Sequence, residues 1–346
     1  MMYKNVLKDS RLVQGGFERD ICGLGYNYSG PQGQFVYIFK FPVSYKNIQL
    51  INQTVGFTNY FDWMGQIREF SLRPIMKKLL KLVRPGDWGL VTNVVNLNID
   101  GFVKADEVLE GRMWLSEVSG RGNIFHLSFN WQKRSANGSL SRVASSVLVF
   151  SCVKIINNVA MITKPPSFLK KFLDEMGPRG SQKKKLLGFS KAETFNYGTE
   201  IKTYQKRARL LFVERYKTSL ENSNLIGNIY FSNYSKWISE ARQLFFYSKK
   251  PAFFSKFESD GEFVTLSCKI SHQQEAMPFD QIVVKVYLKA LFRHGIIFYY
   301  EIFKKAGKSS LLKLAYATES LAFIKTGDCS LKPKVIPQKI LDCFKE

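Results

Sequence analysis

Apolar side chains recur at three- and four-residue spacing in two stretches, Trp63, Met64, Ile67 and Phe70, then Trp237, Ile238, Ala241, Leu244 and Phe245. This spacing predicts two helices, each with one apolar stripe that needs a sheet to lie against. A strand-like run precedes each helix, at residues 35–43 and 208–216, and a polar loop separates the two. β-rich runs follow at 88–97, 108–119, 123–133 and 142–155, and again at 261–270, 281–292, 296–304 and 311–324. Asn137-Gly138 and Arg293-His294-Gly295 supply hairpin turns. Short helices begun by proline close each set, at 165–172 and 337–344. Both halves read as one strand, a loop, a long helix and about four antiparallel strands.

The pattern repeats in residue identity as well. Asn59, Tyr60, Trp63 and Arg68 recur as Asn233, Tyr234, Trp237 and Arg242, 174 positions on. The same offset sets Ala105-Asp106-Glu107-Val108 against Phe279-Asp280-Gln281-Ile282, and Asn123–His126 against Ile297–Tyr300. Solenoid units run to roughly 20–50 residues, so this period predicts a duplicated domain. The expected organisation is a loop-rich segment over 1–34, a first domain over 35–175, a polar linker over 176–200 and a second domain over 201–346. Lys183-Lys184-Lys185 reads as a solvated face of that linker.

A chain of 346 residues, 45 % hydrophobic with 29 Phe and 16 Tyr, can bury two cores. No apolar run reaches the roughly 18 residues of a membrane span, and residues 1–5 lead into no signal-like apolar region. Cys22, Cys152, Cys268, Cys329 and Cys343 are scattered without a CxxC pair, which predicts reduced thiols and a cytoplasmic setting. His126, His272 and His294 lack metal-ligand spacing. The formal charge of +23 attracts acidic partners: nucleic acid, an anionic membrane, CoA or an acidic carrier protein. No zinc finger, RNA-recognition signature or basic helix before heptads is present, so specific nucleic-acid binding is not expected.

The stretch Asn222-Ser223-Asn224-Leu225-Ile226-Gly227-Asn228-Ile229-Tyr230-Phe231-Ser232-Asn233-Tyr234, with Trp237 and Arg242 after it, resembles the loop and helix of hotdog acyl-thioesterases of the 4-hydroxybenzoyl-CoA thioesterase type. Within that superfamily it is most similar to thioesterases of enediyne polyketide pathways. Phe263–Cys268, Pro278–Asp280 and Phe298–Glu301 resemble the same subfamily's sheet. The likeness covers most of 208–325 and reaches the first half through the repeat. It implies an α+β fold of two tandem hotdog domains, each a long helix wrapped by a curved antiparallel sheet. It also implies hydrolysis of acyl thioesters, β-ketoacyl ones among them, on acyl carrier protein or CoA, without metal or organic cofactor.

In the wider family an Asp stands three residues before the motif glycine. Here that glycine is Gly227 and the earlier position is Asn224, whose amide cannot serve as a carboxylate base. The resemblance implies that Asn224, Tyr234 and Arg242 bind and polarise the thioester while water attacks. It places Gly227, Asn228, Tyr230 and Asn233, with Tyr60 and Arg68 of the first half, around the substrate. A β-keto acid released this way can also lose CO₂, with Arg242 holding the carboxylate. Under the 174 offset Leu50 faces Asn224, Gln53 faces Gly227 and Gly56 faces Tyr230, so the first loop reads as a degenerate site. The first half would then act as a fused partner that shapes one acyl tunnel.

Plainer readings stand beside these. Trp63 and Trp237 suit core packing, Tyr60 and Tyr234 suit packing with a satisfied hydroxyl, and Arg242 suits a structural ion pair. Asn224 suits a loop brace, Asp106 and Asp280 suit turns, and the three histidines suit structural or exposed places. No Gly-x-Ser-x-Gly elbow is present, Gly23-Leu24-Gly25 lacks a dinucleotide context, and neither half carries a hotdog dehydratase motif. Two alternatives to hydrolysis stay open: an acyltransferase–decarboxylase that carries the acyl group on a tyrosine, and a non-catalytic acyl-binding protein. Further association of the fused pair into a homo-oligomer also stays open.

Overall fold

A computed structural model describes residues 24–27, 35–49, 53–83, 86–105, 107–134, 139–156, 159–177, 195–203, 208–224, 226–251, 261–307, 310–325 and 332–345. In the first half β1 (Leu24–Asn27) and β2 (Val36–Pro42) lead to α1 (Phe57–Ser71) and the short α2 (Met76–Val83). Then come β3 (Trp88–Ile99), β4 (Val108–Ser119), β5 (Ile124–Arg134), β6 (Leu140–Ile156), β7 (Val159–Ile162) and α3 (Ser167–Met176). The second half runs β8 (Glu200–Thr203), β9 (Arg209–Lys217), α4 (Ser232–Lys249), β10 (Gly261–His272), β11 (Gln281–Phe292), β12 (Gly295–Ala306), β13 (Ser310–Lys325) and α5 (Gln338–Leu341). The expected elements are present. The sequence reading did not foresee β1, β7, β8 or α2. Asp106, Asn137-Gly138 and Lys183–Lys185 lie outside the described residues.

Each half places its strands in one antiparallel order: β2-β4-β5-β6-β3 in the first, β9-β11-β12-β13-β10 in the second. The two halves join along β3 and β10, from Val94↔Ser271 to Asn98↔Ser267, which makes one continuous sheet. Both strands would otherwise be edges with unpaired amides, a hazard that this pairing removes. Leu97, Val95, Cys268 and Ile270 on the seam have no solvent exposure.

α1 and α4 lie side by side in the curve of this sheet, with their apolar stripes turned inward. Met64 and Ile67 of α1 and Ile238 and Ala241 of α4 are fully buried. Trp63 stacks on Phe41, and Trp237 on Tyr216, so both tryptophans are core residues as their spacing suggested. The helices run in opposite directions, because the start of each meets the later turns of the other. Tyr230 before α4 bonds Glu69 of α1 (2.6 Å), and Lys236 pairs with Asp62 (3.1 Å).

The 174 offset holds along the helices but not through the sheet. A bulge between Leu115 and Glu117 matches one between Leu288 and Ala290, and another between Thr92 and Val94 matches one between Thr265 and Ser267, which fixes an offset of 173. The β11–β12 turn is tighter than its counterpart, so β5 and β6 align with β12 and β13 at 171: Leu127 faces Leu115 as Phe298 faces Leu288. Asp280 therefore corresponds to Glu107, not to Asp106. Both carboxylates brace a turn, accepting from the N–H groups of Met277 and Lys104 at 2.8 Å. His126 corresponds to Ile297 rather than Tyr300.

Candidate functional site

Two loops lead into the helix starts, and their backbones follow the same path. Asn59 donates to the carbonyls of Asn47 and Gly56, and Asn233 donates to those of Asn222 and Tyr230. These bonds explain why Asn recurs at the first helical turn: its amide ties the helix start to the loop behind it. Gln53 and Gly227 both take a left-handed backbone, with φ of 56° and 94°. That conformation suits the glycine and strains the glutamine.

The loops differ by one residue. Gln49 N–H bonds the Thr54 carbonyl as Asn224 N–H bonds that of Asn228, so Gln49, and not Leu50, is the counterpart of Asn224. Leu50 lies outside the described residues. The first loop thus keeps an amide side chain where the sequence offset had placed an apolar one. Asn224 itself braces its loop, accepting the Ile226 N–H at 2.8 Å through Oδ1.

Each helix start is completed by the other half of the chain. Arg68 of α1 lies over the Phe231 ring at 5.1 Å and donates to Thr92 at 3.1 Å. Arg242 of α4 lies over Phe57 at 5.6 Å and donates to Thr265 at 3.0 Å. Asn224, Gly227, Asn228, Tyr230, Asn233 and Tyr234 therefore share the α4 end with Arg68. Tyr60 and Arg242 belong to the α1 end, so the expected trio of Asn224, Tyr234 and Arg242 is divided between the two ends.

The two arginines differ in charge balance. Arg242 is bound to Glu319, which has no exposure and also accepts from Thr265 (2.7 Å) and Tyr300 (2.6 Å). Burial opposes the Arg242 charge and Glu319 sustains it, leaving the guanidinium's affinity for its proton raised. In the first half Leu148 and Phe129 replace Glu319 and Tyr300. Among the described residues Arg68 therefore has no buried carboxylate behind it, and it pairs instead with Glu69 at 3.8 Å, which is half exposed.

A narrow cleft of about 10 Å³ opens at the α1 end, lined by Gln49, Thr54, Tyr60, Ile99, Phe102 and Thr265 among others. At the α4 end the counterparts of these six are Asn224, Asn228, Tyr234, His272, Glu275 and Thr92. Apolar Ile99 and Phe102 become His272 and Glu275. Histidine and glutamate at such half-buried positions cost desolvation unless partners or a ligand repay it.

The α4 set is tightly connected. Ala276 donates its N–H to the Tyr234 hydroxyl at 3.2 Å, and the His272 ring packs edge-on against Tyr234 at 4.6 Å. Burial raises the Tyr234 hydroxyl, with the charges of Glu275 and Asp280 adding to it. Burial also lowers His272 to about 4, so its imidazole is neutral at neutral pH, and its Nε2 has no hydrogen-bond partner among the described residues. Glu275 is partly buried and raised by that burial, while the nearby Asn228 side chain and the charge of Lys304 oppose the rise. Asn228 Oδ1 is buried without a partner among the described residues. Tyr230 crosses to Glu69 over Gly65, where an added Cβ would fall 1.9 Å from the Tyr230 hydroxyl. The sequence reading set His272 among structural or exposed histidines and did not single out Glu275, because only the sheet register, not the 174 offset, sets the two against apolar residues.

No protein-family model and no curated protein matches the sequence. Solved structures do match the fold. A 12:0-acyl-carrier-protein thioesterase from Umbellularia californica aligns with a TM-score of 0.57 at 10 % identity, over 86 % of this chain and 94 % of its own. A protein of Lactobacillus plantarum assigned as an oleoyl thioesterase also gives 0.57 at 10 %, over 85 % and 98 %. An acyl-carrier-protein thioesterase of Bacteroides thetaiotaomicron gives 0.52 at 9 %, over 84 % and 98 %. These alignments span both halves, and with the strand order and the β3–β10 seam they make the chain a double-hotdog protein.

Proposed function

We propose that the protein is an acyl-thioester hydrolase whose working site lies at the start of α4. The observation that carries this reading is the asymmetry between the two helix starts: beside matched amide, threonine and tyrosine positions, the α4 end has His272 and Glu275 where the α1 end has Ile99 and Phe102, and its Arg68 faces half-exposed Glu69 where Arg242 is bound to buried Glu319. A guanidinium and first-turn amides at a helix start suit the oxyanion of a thioester under attack. The domain over 201–346 supplies the loop, and the domain over 35–175 supplies Arg68 and a largely apolar surface for the acyl chain.

The substrates proposed are acyl groups on acyl carrier protein or CoA, β-ketoacyl thioesters of polyketide or fatty-acid-like synthesis among them. The +23 charge favours such acidic carriers. Tyr234 fits a binding role better than an acyl-carrying one, because burial keeps its hydroxyl protonated. That favours hydrolysis over transfer through tyrosine.

The test is release of thiol from a panel of acyl-CoA and acyl-carrier thioesters, with CO₂ followed in parallel. Thiol release that collapses in Arg68→Ala supports a hydrolase at this site, and CO₂ adds decarboxylation. Binding of the panel without thiol release from any member would leave a non-catalytic acyl-binding protein.

A further inference from the structure

The loop resemblance leaves this site without a base, since Asn224 is an amide. The carboxylates around the α4 start are mostly committed. Glu69 accepts from Tyr230, Asp62 pairs with Lys236, and Asp280 braces the Met277 N–H while pairing with Lys304. Glu319 is enclosed by Arg242, Thr265 and Tyr300. Glu275 differs from all of these. Among the described residues its carboxylate enters no ion pair, and it lies on the loop side near Asn228, at the register position where Phe102 lines the α1 cleft. Its backbone is pinned on both sides: Lys304 bonds the Glu275 carbonyl at 3.1 Å, and Ala276 is fixed by the Ile229 N–H and the Tyr234 hydroxyl. The first half has buried Phe102 at this position. Asn228 Oδ1 is buried and has no partner among the described residues, and a water molecule between it and the Glu275 carboxylate would satisfy it.

We propose that Glu275 is the general base of this site. The inference rests on the hydrolase reading above. Glu275 removes a proton from a water held against Asn228 as the water oxygen bonds to the thioester carbonyl carbon. The carbonyl oxygen takes up the negative charge opposite Arg68 and the first-turn amides of α4. When the tetrahedral species collapses, its carbon–sulfur bond breaks and the proton on Glu275 passes to the departing thiolate. The products are a carboxylic acid and a free thiol, with no other reactant. The base thus sits on the turn after β10 and not on the helix-start loop, which accounts for an amide at position 224.

The experiment compares wild type, Glu275→Gln and Glu275→Asp on the best thioester of the panel. Binding of its non-hydrolysable thioether analogue and the thermal midpoint are measured for each. Glu275→Gln is expected to lower kcat by roughly 10²–10⁴-fold, to leave analogue binding within about threefold, and to recover part of its rate with added formate. Glu275→Asp is expected to retain more rate than Glu275→Gln. Wild-type turnover with Glu275→Gln within about threefold of it would overturn the assignment of Glu275 and leave the hydrolase reading intact. An absence of wild-type turnover on every thioester would instead remove the hydrolase reading, and with it any base.

Discussion

Arg68 and Arg242 occupy equivalent turns of α1 and α4, and each donates to a threonine at an equivalent bulge, yet only Arg242 has a carboxylate buried behind it. The duplicated scaffold has kept the same cation twice and neutralised one copy. An arginine whose charge is compensated by Glu319 holds the sheet and helix together. Arg68, which faces only half-exposed Glu69 among the described residues, is more available to an anion.

The two arginines should therefore fail differently. Arg242→Ala leaves Glu319 buried and unpaired, which is expected to cost about 3–5 kcal/mol. Arg242→Met combined with Glu319→Leu, which copies Leu148 of the first half, should recover most of that loss. Arg68→Ala should cost far less stability but lower thiol release by roughly 10²–10³-fold. Thermal unfolding and turnover of the three variants separate the roles, and equal effects from the two single changes would contradict the asymmetry.

His272 predicts a pH dependence of stability. Its pKa falls from 6.5 to about 4 on folding because burial disfavours the cation. The unfolded chain takes up this proton near pH 6.5 and the folded chain only near pH 4. Stability from this group is therefore full above pH 6.5, declines through that window and is flat below pH 4, a total of about 3 kcal/mol at 1.36 kcal/mol per pH unit. In His272→Ile, which copies Ile99, the decline between pH 6.5 and 4 should be smaller by about that amount. Denaturant melts at half-unit pH steps measure it.

Gly65 makes room for Tyr230, and Gly56 leaves the equivalent position in the first half without a ring. Gly65→Ala should displace Tyr230 from Glu69 and cost about 1–3 kcal/mol, set against the alanine's better helix propensity. In a Tyr230→Gly background the same change should become neutral or stabilising. A double-mutant cycle on thermal midpoints reads the coupling, and additivity would mean that the ring does not lie over Gly65.

Cys152 and Cys268 are buried thiols on β6 and β10. Burial pushes Cys152 up to about 12, and burial together with the nearby Glu319 pushes Cys268 well above the usual thiol range. Neither should react with a thiol reagent at pH 8 in the folded protein, and both should react at once in denaturant. Peptide mapping after brief labelling tests this. Early labelling of Cys268 would mean that the β3–β10 seam opens.

The residue pattern by itself determined the two helices, the strand runs, the duplication and the likeness to a hotdog loop. Those properties are local: apolar spacing sets which face each segment buries, and the Asn233–Arg242 echo of Asn59–Arg68 lies along helices where nothing is inserted. Tertiary structure decided the rest. The bulges at Thr92 and Thr265 and the shorter β11–β12 turn change the offset within the sheet, so only strand pairing sets Glu319 against Leu148 and Glu275 against Phe102. The antiparallel packing of α1 on α4 decided that each loop meets the other half's arginine. A helix carries no record of which neighbour its exposed turns will touch, and that is why Arg68, rather than Arg242, stands over Phe231.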